Sequence, residues 1–222
     1  MTNRPVALVT GATRGIGRAI AVELSSTHRI LVGGRDAARA RELVAELDDA
    51  APFVCDLADE DAVAAACAGI GRLDVLVHSA GIGRSNDIGL ASRALWREVF
   101  ETNVFAVADL TRLLLPALEA ARGIVVAINS GAGFFSSPGG GVYAGSKFAL
   151  RALTDALREE MRGKVRVCSI HPGRTDTDMQ RELQAAMGNE HYNGSCYVSP
   201  GSVAAAPDNA TIEQLSIRPS VF

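Results

Sequence analysis

The sequence predicts a doubly wound α/β domain, and three observations support this fold class. Six short runs are rich in β-branched residues and apolar without a break, which is typical of strands covered on both faces. Segments with helical periodicity lie between these runs, so strand and helix alternate from the start. A glycine-rich turn joins the first run to the first helix. Because crossovers between parallel strands are right-handed, the helices are expected on both faces of a parallel sheet.

The predicted elements follow one another along the chain. The strands are Val6–Val9, Ile30–Val32, Pro52–Cys55, Leu73–Val77, Ile124–Ile128 and Val165–Ile170. The helices are Gly17–Ser25, Ala37–Leu47, Asp59–Cys67, Ser92–Ala121 and Tyr143–Met161. Asp59 is an expected N-cap, since Glu60 and Asp61 follow it and favour the positive end of the helix dipole.

The regular alternation ends after Gly173. The segment 174–207 is polar and rich in glycine and proline, with a short helical stretch near Met179–Met187. Leu215–Arg218 is expected to add an edge strand. Ligands of such sheets bind at the carboxyl ends of the strands, so we expect 174–207 to cover a substrate site within one domain spanning 1–222.

Composition excludes several classes of protein. A chain of 222 residues with 48% hydrophobic residues can bury a full core without disulfides or metals. Its 22 basic and 25 acidic residues are dispersed, which argues against a nucleic-acid partner. Four separated cysteines (Cys55, Cys67, Cys168, Cys196) form no C-x-x-C pair, so no metal site is expected. No run reaches the roughly 18 apolar residues of a membrane span, and no signal peptide is evident, so we expect a soluble cytoplasmic protein.

The turn after the first strand reads Thr10-Gly11-Ala12-Thr13-Arg14-Gly15-Ile16-Gly17. Gly11 permits a tight turn, Gly15 leaves room for a pyrophosphate beside the backbone, and Gly17 lets helix and strand pack closely. Glycines alone are a weak signal, but the strand–turn–helix context favours a dinucleotide site. The loop lacks the Lys and Ser/Thr of a P-loop, which disfavours an ATPase.

Tyr143 and Lys147 are four residues apart, so a helix places them on one face. A nearby ammonium stabilises a phenolate, so we expect the pKa of Tyr143 to be lowered from about 10. Tyr143 would then exchange a proton with a substrate oxygen. Such a pair in isolation is more often a ring packed over a lysine stem. Here Tyr143 follows Ser130, at the end of a predicted strand, by thirteen residues, which favours the catalytic interpretation.

These motifs together resemble the short-chain dehydrogenase/reductase family, in its compact single-domain branch. The resemblance extends to about Thr177, and Thr10–Gly17 is similar to the family's T-G-x-x-x-G-x-G. It implies a Rossmann fold with a parallel sheet of about seven strands in the order 3-2-1-4-5-6-7. It also implies hydride transfer between a nicotinamide cofactor and a carbonyl or secondary alcohol.

The resemblance assigns four catalytic residues. Ser130 would hydrogen-bond the substrate oxygen as an oxyanion stabiliser, while Tyr143 exchanges the proton. Lys147 and the positive nicotinamide ring would together lower the pKa of Tyr143, and Lys147 would also hold the nicotinamide ribose. Asn103 matches the asparagine that positions a water in a proton relay. Ser130 is not expected to be a nucleophile, because no G-x-S-x-G elbow surrounds it and no histidine has an evident triad role.

The end of the second strand indicates which nicotinamide cofactor binds. A carboxylate there suits the ribose of NAD, whereas the 2′-phosphate of NADP requires positive charge. By resemblance Arg35 occupies the discriminating position, and Arg14 points at the same phosphate, so NADP(H) is expected. In the alternative, Asp36 grips the ribose of NAD, although Asp36 also suits the N-cap of the next helix.

The resemblance also implies the remaining cofactor contacts. Asp56 and Leu57 would contact the adenine, and Ala80 and Gly81 would permit close approach of the adenosine ribose. Ser79 stands where the family usually has asparagine, so some bracing hydrogen bonds are expected to be rearranged. The full set of expected cofactor contacts is Gly11, Thr13, Arg14, Gly15, Ile16, Gly17, Arg35, Asp56, Leu57, Ala80, Gly81, Tyr143, Lys147, Pro172, Gly173 and Thr177.

Two other functions are open to such a sequence. A dinucleotide-binding regulator or scaffold without turnover would share the fold, but it has no use for Ser130, Tyr143 and Lys147 together. A sugar epimerase or dehydratase disagrees with the chain length and the glycine spacing. The expected partner is a small carbonyl or alcohol, and the helices 92–121 and 143–161 are expected to pair in a homodimer or homotetramer. Pro207 is expected to shorten the last helix.

Overall fold

The computed structural model describes residues 4–186, 192–204 and 214–217. Within these ranges the strands form one seven-stranded sheet with the order β3-β2-β1-β4-β5-β6-β7, and every pairing is parallel. The strands are β1 (Val6–Val9), β2 (Arg29–Gly34), β3 (Ala50–Val54), β4 (Val75–His78), β5 (Ile124–Ile128), β6 (Arg166–Pro172) and β7 (Gln214–Ile217). The predicted fold class and strand order are therefore confirmed.

Helices connect the strands as crossovers. They are α1 (Gly15–Leu24), α2 (Ala37–Glu46), α3 (Glu60–Cys67), α4 (Arg93–Phe100), α5 (Ala106–Ala121), α6 (Gly141–Glu160), α7 (Asp178–Ala186) and α8 (Pro200–Ala204). The Asp59 carboxylate accepts a hydrogen bond from the Ala62 N–H at 3.0 Å, so the predicted N-cap of α3 is confirmed.

The predicted continuous helix over Ser92–Ala121 is wrong in one respect. A π-helical segment, Glu101–Phe105, separates α4 from α5. Such segments insert a residue into the helix and are frequently found at functional sites. The segment contains Asn103, and it includes neither glycine nor proline that would mark the change in helix type.

The two largest apolar clusters lie on opposite faces of the sheet. Ala7 and Val9 of β1 pack on one face, which α1 and α2 cover, whereas Leu8 packs on the other face against α3 and α5. Successive residues of one strand are therefore buried on opposite sides, which explains the unbroken apolar runs in the sequence. Because the strands are parallel, their carboxyl ends meet at one edge of the sheet, where the functional residues gather.

The segment after β6 is described in part. It includes α7, a 3-10 turn at Gly194–Cys196 and α8. Met187, Pro207 and Arg218, on which parts of the predictions fell, lie outside the described residues. In the portion that is described, no helix has both the length and the apolar character needed to cross a bilayer. No group of three potential metal-ligating side chains was found there either.

Candidate active site

Three glycines shape the loop between β1 and α1. Gly11 and Gly15 have φ angles of +63° and +57°, a left-handed conformation that favours glycine. A Cβ on Gly11 would lie 2.8 Å from the Cα of Ala80, and a Cβ on Gly17 would collide with the carbonyl oxygen of Gly11. Only glycine at these positions lets the chain pack this closely against the loop after β4 and at the start of α1.

The loop leaves the N-terminus of α1 open. Arg14 is the N-cap residue, and its side chain makes no capping hydrogen bond. The first turn of α1 lines a cleft at the carboxyl ends of the strands. Free N–H groups and the positive end of the helix dipole attract phosphate, so this terminus fits the pyrophosphate of a dinucleotide.

Most of the expected cofactor contacts line this cleft. They are Gly11, Thr13, Arg14, Gly15, Ile16, Gly17, Arg35, Asp56, Leu57, Ala80, Gly81, Tyr143, Lys147 and Thr177. Pro172 and Gly173 are not part of the cleft wall. Pro172 is the buried last residue of β6, and the Gly173 N–H donates to the Ile217 carbonyl at 2.6 Å, so both lie where β6 meets β7.

Asp36 and Arg14, near the end of the cleft that is expected to hold the adenosine, have hydrogen-bond or ion-pair partners within the protein. The Asp36 carboxylate caps α2 by accepting from the N–H groups of Ala38 at 2.9 Å and Arg39 at 3.2 Å. Arg35 is exposed and lines the cleft. The Arg14 guanidinium lines it too, but lies 3.0 Å from the Glu182 carboxylate of α7.

Ser130, Tyr143 and Lys147 come together beside the glycine loop. Tyr143 and Lys147 lie one turn apart on α6, and Nζ of Lys147 is 5.7 Å from the centroid of the Tyr143 ring. Ser130 follows the end of β5, and its side chain hydrogen-bonds that of Tyr143. The Ala132 N–H also donates to the Ser130 hydroxyl oxygen at 3.1 Å, which orients the serine.

Burial sets the protonation of this cluster. It raises the pKa of Tyr143, and the hydrogen bond from Ser130 opposes that rise only in part. The pKa of Tyr143 is therefore raised in the protein by itself, because the loss of solvation outweighs the hydrogen bond. The lowered pKa expected from the sequence includes the charge of a bound nicotinamide ring and stays a prediction for the complex. Burial also lowers the pKa of Lys147 to about 8. At neutral pH the phenol is protonated and the amine is mostly charged.

Asn103 connects two elements of the site. Its carboxamide accepts from the Ile82 N–H and donates to the Ile82 carbonyl, both at 2.9 Å. It also donates to the Ser146 hydroxyl at 3.0 Å. Asn103 thus ties the loop after β4 to α6, while its role in a proton relay stays a prediction.

Several residues of the site were not anticipated from the sequence. The Thr10 hydroxyl oxygen accepts from the N–H groups of Ser79 at 3.0 Å and Ala80 at 3.1 Å, which braces the loop after β4. Ser146 donates to the Tyr143 carbonyl at 2.7 Å. Asn129 lines the cleft, and its buried carboxamide makes no hydrogen bond within the described part of the chain. The position of Asn129 beside Ser130 was its only sequence signal.

The start of α7 closes one side of the cleft. Thr177, Asp178 and Met179 line it. The Met179 sulfur would lie 3.5 Å from a Cβ on Gly83, in the loop after β4. The start of α7 therefore lies close to the loop after β4.

The sheet order, the uncapped helix terminus and the Ser–Tyr–Lys cluster are typical of dinucleotide-dependent oxidoreductases. Comparison with known proteins gives the family. The short chain dehydrogenase family model matches residues 5–188, and the chain belongs to this family. Members bind nicotinamide dinucleotides and act on small-molecule substrates.

Curated relatives and solved structures agree with this assignment. The chain is 34% identical to a serine 3-dehydrogenase of Agrobacterium fabrum, over 96% of this chain and 88% of the relative. It is 35% identical to a 3-oxoacyl-[acyl-carrier-protein] reductase of Pseudomonas aeruginosa, over 82% of this chain and 78% of that protein. A serine dehydrogenase solved in complex with NADP+ superposes with a TM-score of 0.88 at 27% identity, covering 96% of this chain and 94% of the other.

Proposed function

We propose that the protein is an NADP(H)-dependent oxidoreductase that transfers a hydride between nicotinamide and a carbonyl or secondary alcohol. The observation that carries this proposal is the cluster of Ser130, Tyr143 and Lys147 beside the open N-terminus of α1. A site for binding alone has no need of a phenol, a hydroxyl and an ammonium converging beside one cleft. When bound, the nicotinamide ring supplies or accepts the hydride.

Positive charge at the adenosine end supports NADP(H) over NAD(H). Arg35 and Arg14 both line the cleft, and two guanidinium groups suit a phosphate dianion. The Asp36 carboxylate, which would otherwise accept from the ribose hydroxyls of NAD, accepts from two N–H groups of α2. The Gly11, Gly15 and Gly17 backbone would hold the pyrophosphate.

Tyr143 would carry the proton. In the reduction direction the Tyr143 hydroxyl donates its proton to the carbonyl oxygen, and the Ser130 hydroxyl donates a hydrogen bond to the same oxygen. The charged Lys147 stabilises the phenolate that remains. In the oxidation direction the phenolate takes the alcohol proton back. Lys147 would also hold the nicotinamide ribose, and Asn103 would support the relay from Lys147.

The substrate would enter beneath the segment 174–207, within a single domain that spans 1–222. Thr177, Asp178 and Met179, near the start of this segment, line the cleft, which supports a covering role for the segment. We further propose a homodimer or homotetramer through the two long helical regions. Phe105 and Phe148 on these regions are 53% and 44% exposed, which supports an apolar contact between copies.

An assay of purified protein tests the proposal. NADPH and NADH are each offered with 3-oxoacyl thioesters, 2-amino-3-oxo acids, ketones and aldehydes, and the absorbance of reduced nicotinamide is followed. We expect consumption that depends on the carbonyl compound, with NADPH preferred about tenfold or more. Tight NADPH binding without consumption by any compound would contradict turnover and favour a regulator or scaffold.

A further inference from the structure

His171 contacts the backbone of Ser130. The residue is second to last in β6 and only 1% exposed. Its Nδ1 lies 2.9 Å from the Ser130 carbonyl oxygen, and its Nε2 lies 3.0 Å from the Ser169 hydroxyl. A carbonyl can only accept, so Nδ1 carries the hydrogen. Nε2 of the neutral ring then accepts from the Ser169 hydroxyl, and burial, which lowers the pKa of His171, agrees with a neutral ring.

The contact lies just beyond the regular hydrogen bonding of two strands. The β5–β6 register ends at the pair Ile128 and Ile170. The Asn129 N–H still donates to the Ile170 carbonyl at 2.7 Å. Ser130 is the next residue, and its carbonyl oxygen accepts from the imidazole of His171 instead of from the backbone of β6. A side chain thus extends the connection between the strands to the residue that bears the hydroxyl.

Phe134 packs against the imidazole ring, and Arg151 packs against Phe134 in turn. The Phe134 ring centroid lies 4.3 Å from that of His171, and the Arg151 guanidinium lies 4.7 Å from the Phe134 centroid. Arg151 is on α6, one turn after Lys147. These packed side chains therefore join β6, the turn after Ser130 and the helix that carries Tyr143.

We propose that His171 is a positioning residue that fixes the Ser130 peptide and thereby aims the Ser130 hydroxyl at the substrate oxygen. The inference rests on the proposed function. His171 does not touch the reacting atoms and exchanges no proton in this role. The Gly133 N–H also donates to the Ser130 carbonyl at 2.9 Å. Without the Nδ1–H of His171, this carbonyl loses one of its two donors, and the serine peptide is held less firmly in the orientation that the reaction needs.

Three substitutions at position 171 test whether the Nδ1–H of His171 is needed as the hydrogen-bond donor to Ser130. His171→Asn can place an N–H near the position of Nδ1, His171→Gln reaches the position of Nε2 instead, and His171→Leu fills the space without a donor. We expect kcat to fall about 10- to 100-fold in the Leu and Gln variants, and the Asn variant to recover most of the loss. The Kd for NADPH should stay near that of the wild type in each. His28→Leu, at a partly exposed histidine remote from the cleft, is the matched control.

The Ser130→Ala background separates positioning from a general structural effect. If His171 acts through the Ser130 hydroxyl, His171→Leu lowers kcat no further once that hydroxyl is absent. An equal fold-loss in both backgrounds, or equal kcat for the Asn and Gln variants, overturns the inference. If the Leu variant does not fold, the difference in kcat between the Asn and Gln variants is the deciding result. A wild-type protein that turns over no carbonyl compound overturns the proposed function itself, whereas an active wild type with an unaffected Leu variant overturns only the role of His171.

Discussion

Nζ of Lys147 lies 5.7 Å from the centroid of the Tyr143 ring and donates a hydrogen bond to the Ile128 carbonyl at 3.0 Å. Ile128 is the last residue of β5, and Ser130 lies two residues beyond it. One strand end therefore anchors the ammonium and presents the hydroxyl, while α6 supplies the phenol. The proposed chemistry depends on this arrangement because the ammonium must stabilise the phenolate without leaving the cleft.

The pH dependence of turnover should report Lys147. Burial lowers the pKa of Lys147 to about 8, so its positive charge is present below that pH and is lost as the pH rises through it. We expect kcat/KM for NADPH, which reflects the free protein, to fall above pH of about 8. Lys147→Arg keeps its charge throughout, so its lower activity should not show this decline. A decline of the same midpoint in both proteins would contradict the assignment.

Arg35 should determine the preference for NADPH. Removing a charge-assisted contact to the 2′-phosphate costs about 1.5–3 kcal/mol, so Arg35→Ala should raise KM for NADPH about 10- to 100-fold. KM for NADH should stay nearly constant, because NADH lacks that phosphate. Arg41→Ala, on the exposed side of α2, is the control. Equal changes in KM for both dinucleotides would indicate that Arg35 does not contact the phosphate.

Glu182 should weaken NADPH binding by competing for Arg14. The two side chains form an exposed ion pair at 3.0 Å, and such pairs contribute about 0.2–1 kcal/mol. We expect Glu182→Gln to lower the Kd for NADPH by about two- to fivefold and to leave that for NADH unchanged. Fluorescence titration of reduced nicotinamide measures both, with Glu160→Gln as control. An unchanged Kd for NADPH would show that Glu182 does not compete with the cofactor for Arg14.

His78 should destabilise the protein in acid. The Thr111 hydroxyl donates to the Val107 carbonyl, so its oxygen accepts from the Nε2–H of His78 at 2.9 Å. Burial lowers the pKa of His78 from 6.5 to about 4. Between these values the unfolded chain binds more protons than the folded one, so the free energy of unfolding falls as the pH is lowered, by up to roughly 3 kcal/mol from this group.

Comparison with His78→Gln isolates that contribution. Glutamine can donate to Thr111 but does not titrate. Denaturant unfolding of both proteins between pH 7 and 4 should show a smaller loss of stability in the variant. Parallel curves would mean that His78 is not the group responsible.

The sequence was sufficient for the fold and for the cluster because both follow from local patterns. Unbroken apolar runs predict buried parallel strands, and a spacing of four residues places Tyr143 and Lys147 on one helix face. Other features depend on contacts distant in the chain. Glu182 reaches Arg14 across 168 residues, and His171 reaches Ser130 across 41. Spacing also indicates neighbours without indicating burial, and it is burial that raises the pKa of Tyr143 in the protein by itself.

The π-helical segment around Asn103 had no local signal either. Its residues have ordinary helical propensities, and a continuous helix is the simplest prediction from them. The bonds from the Asn103 carboxamide to Ile82 and Ser146 belong to tertiary structure, which overrides that local preference.

Replacement of Tyr143 by phenylalanine tests the central claim most directly. With a carbonyl substrate found in the assay, Tyr143→Phe should lower kcat about 10³-fold, since the proton donor is lost. The Kd for NADPH should change little, and Ser26→Ala, which removes an exposed hydroxyl after α1 that does not line the cleft, should turn over at the wild-type rate. A Tyr143→Phe protein that keeps its kcat within about tenfold of the wild type would contradict proton transfer by this phenol.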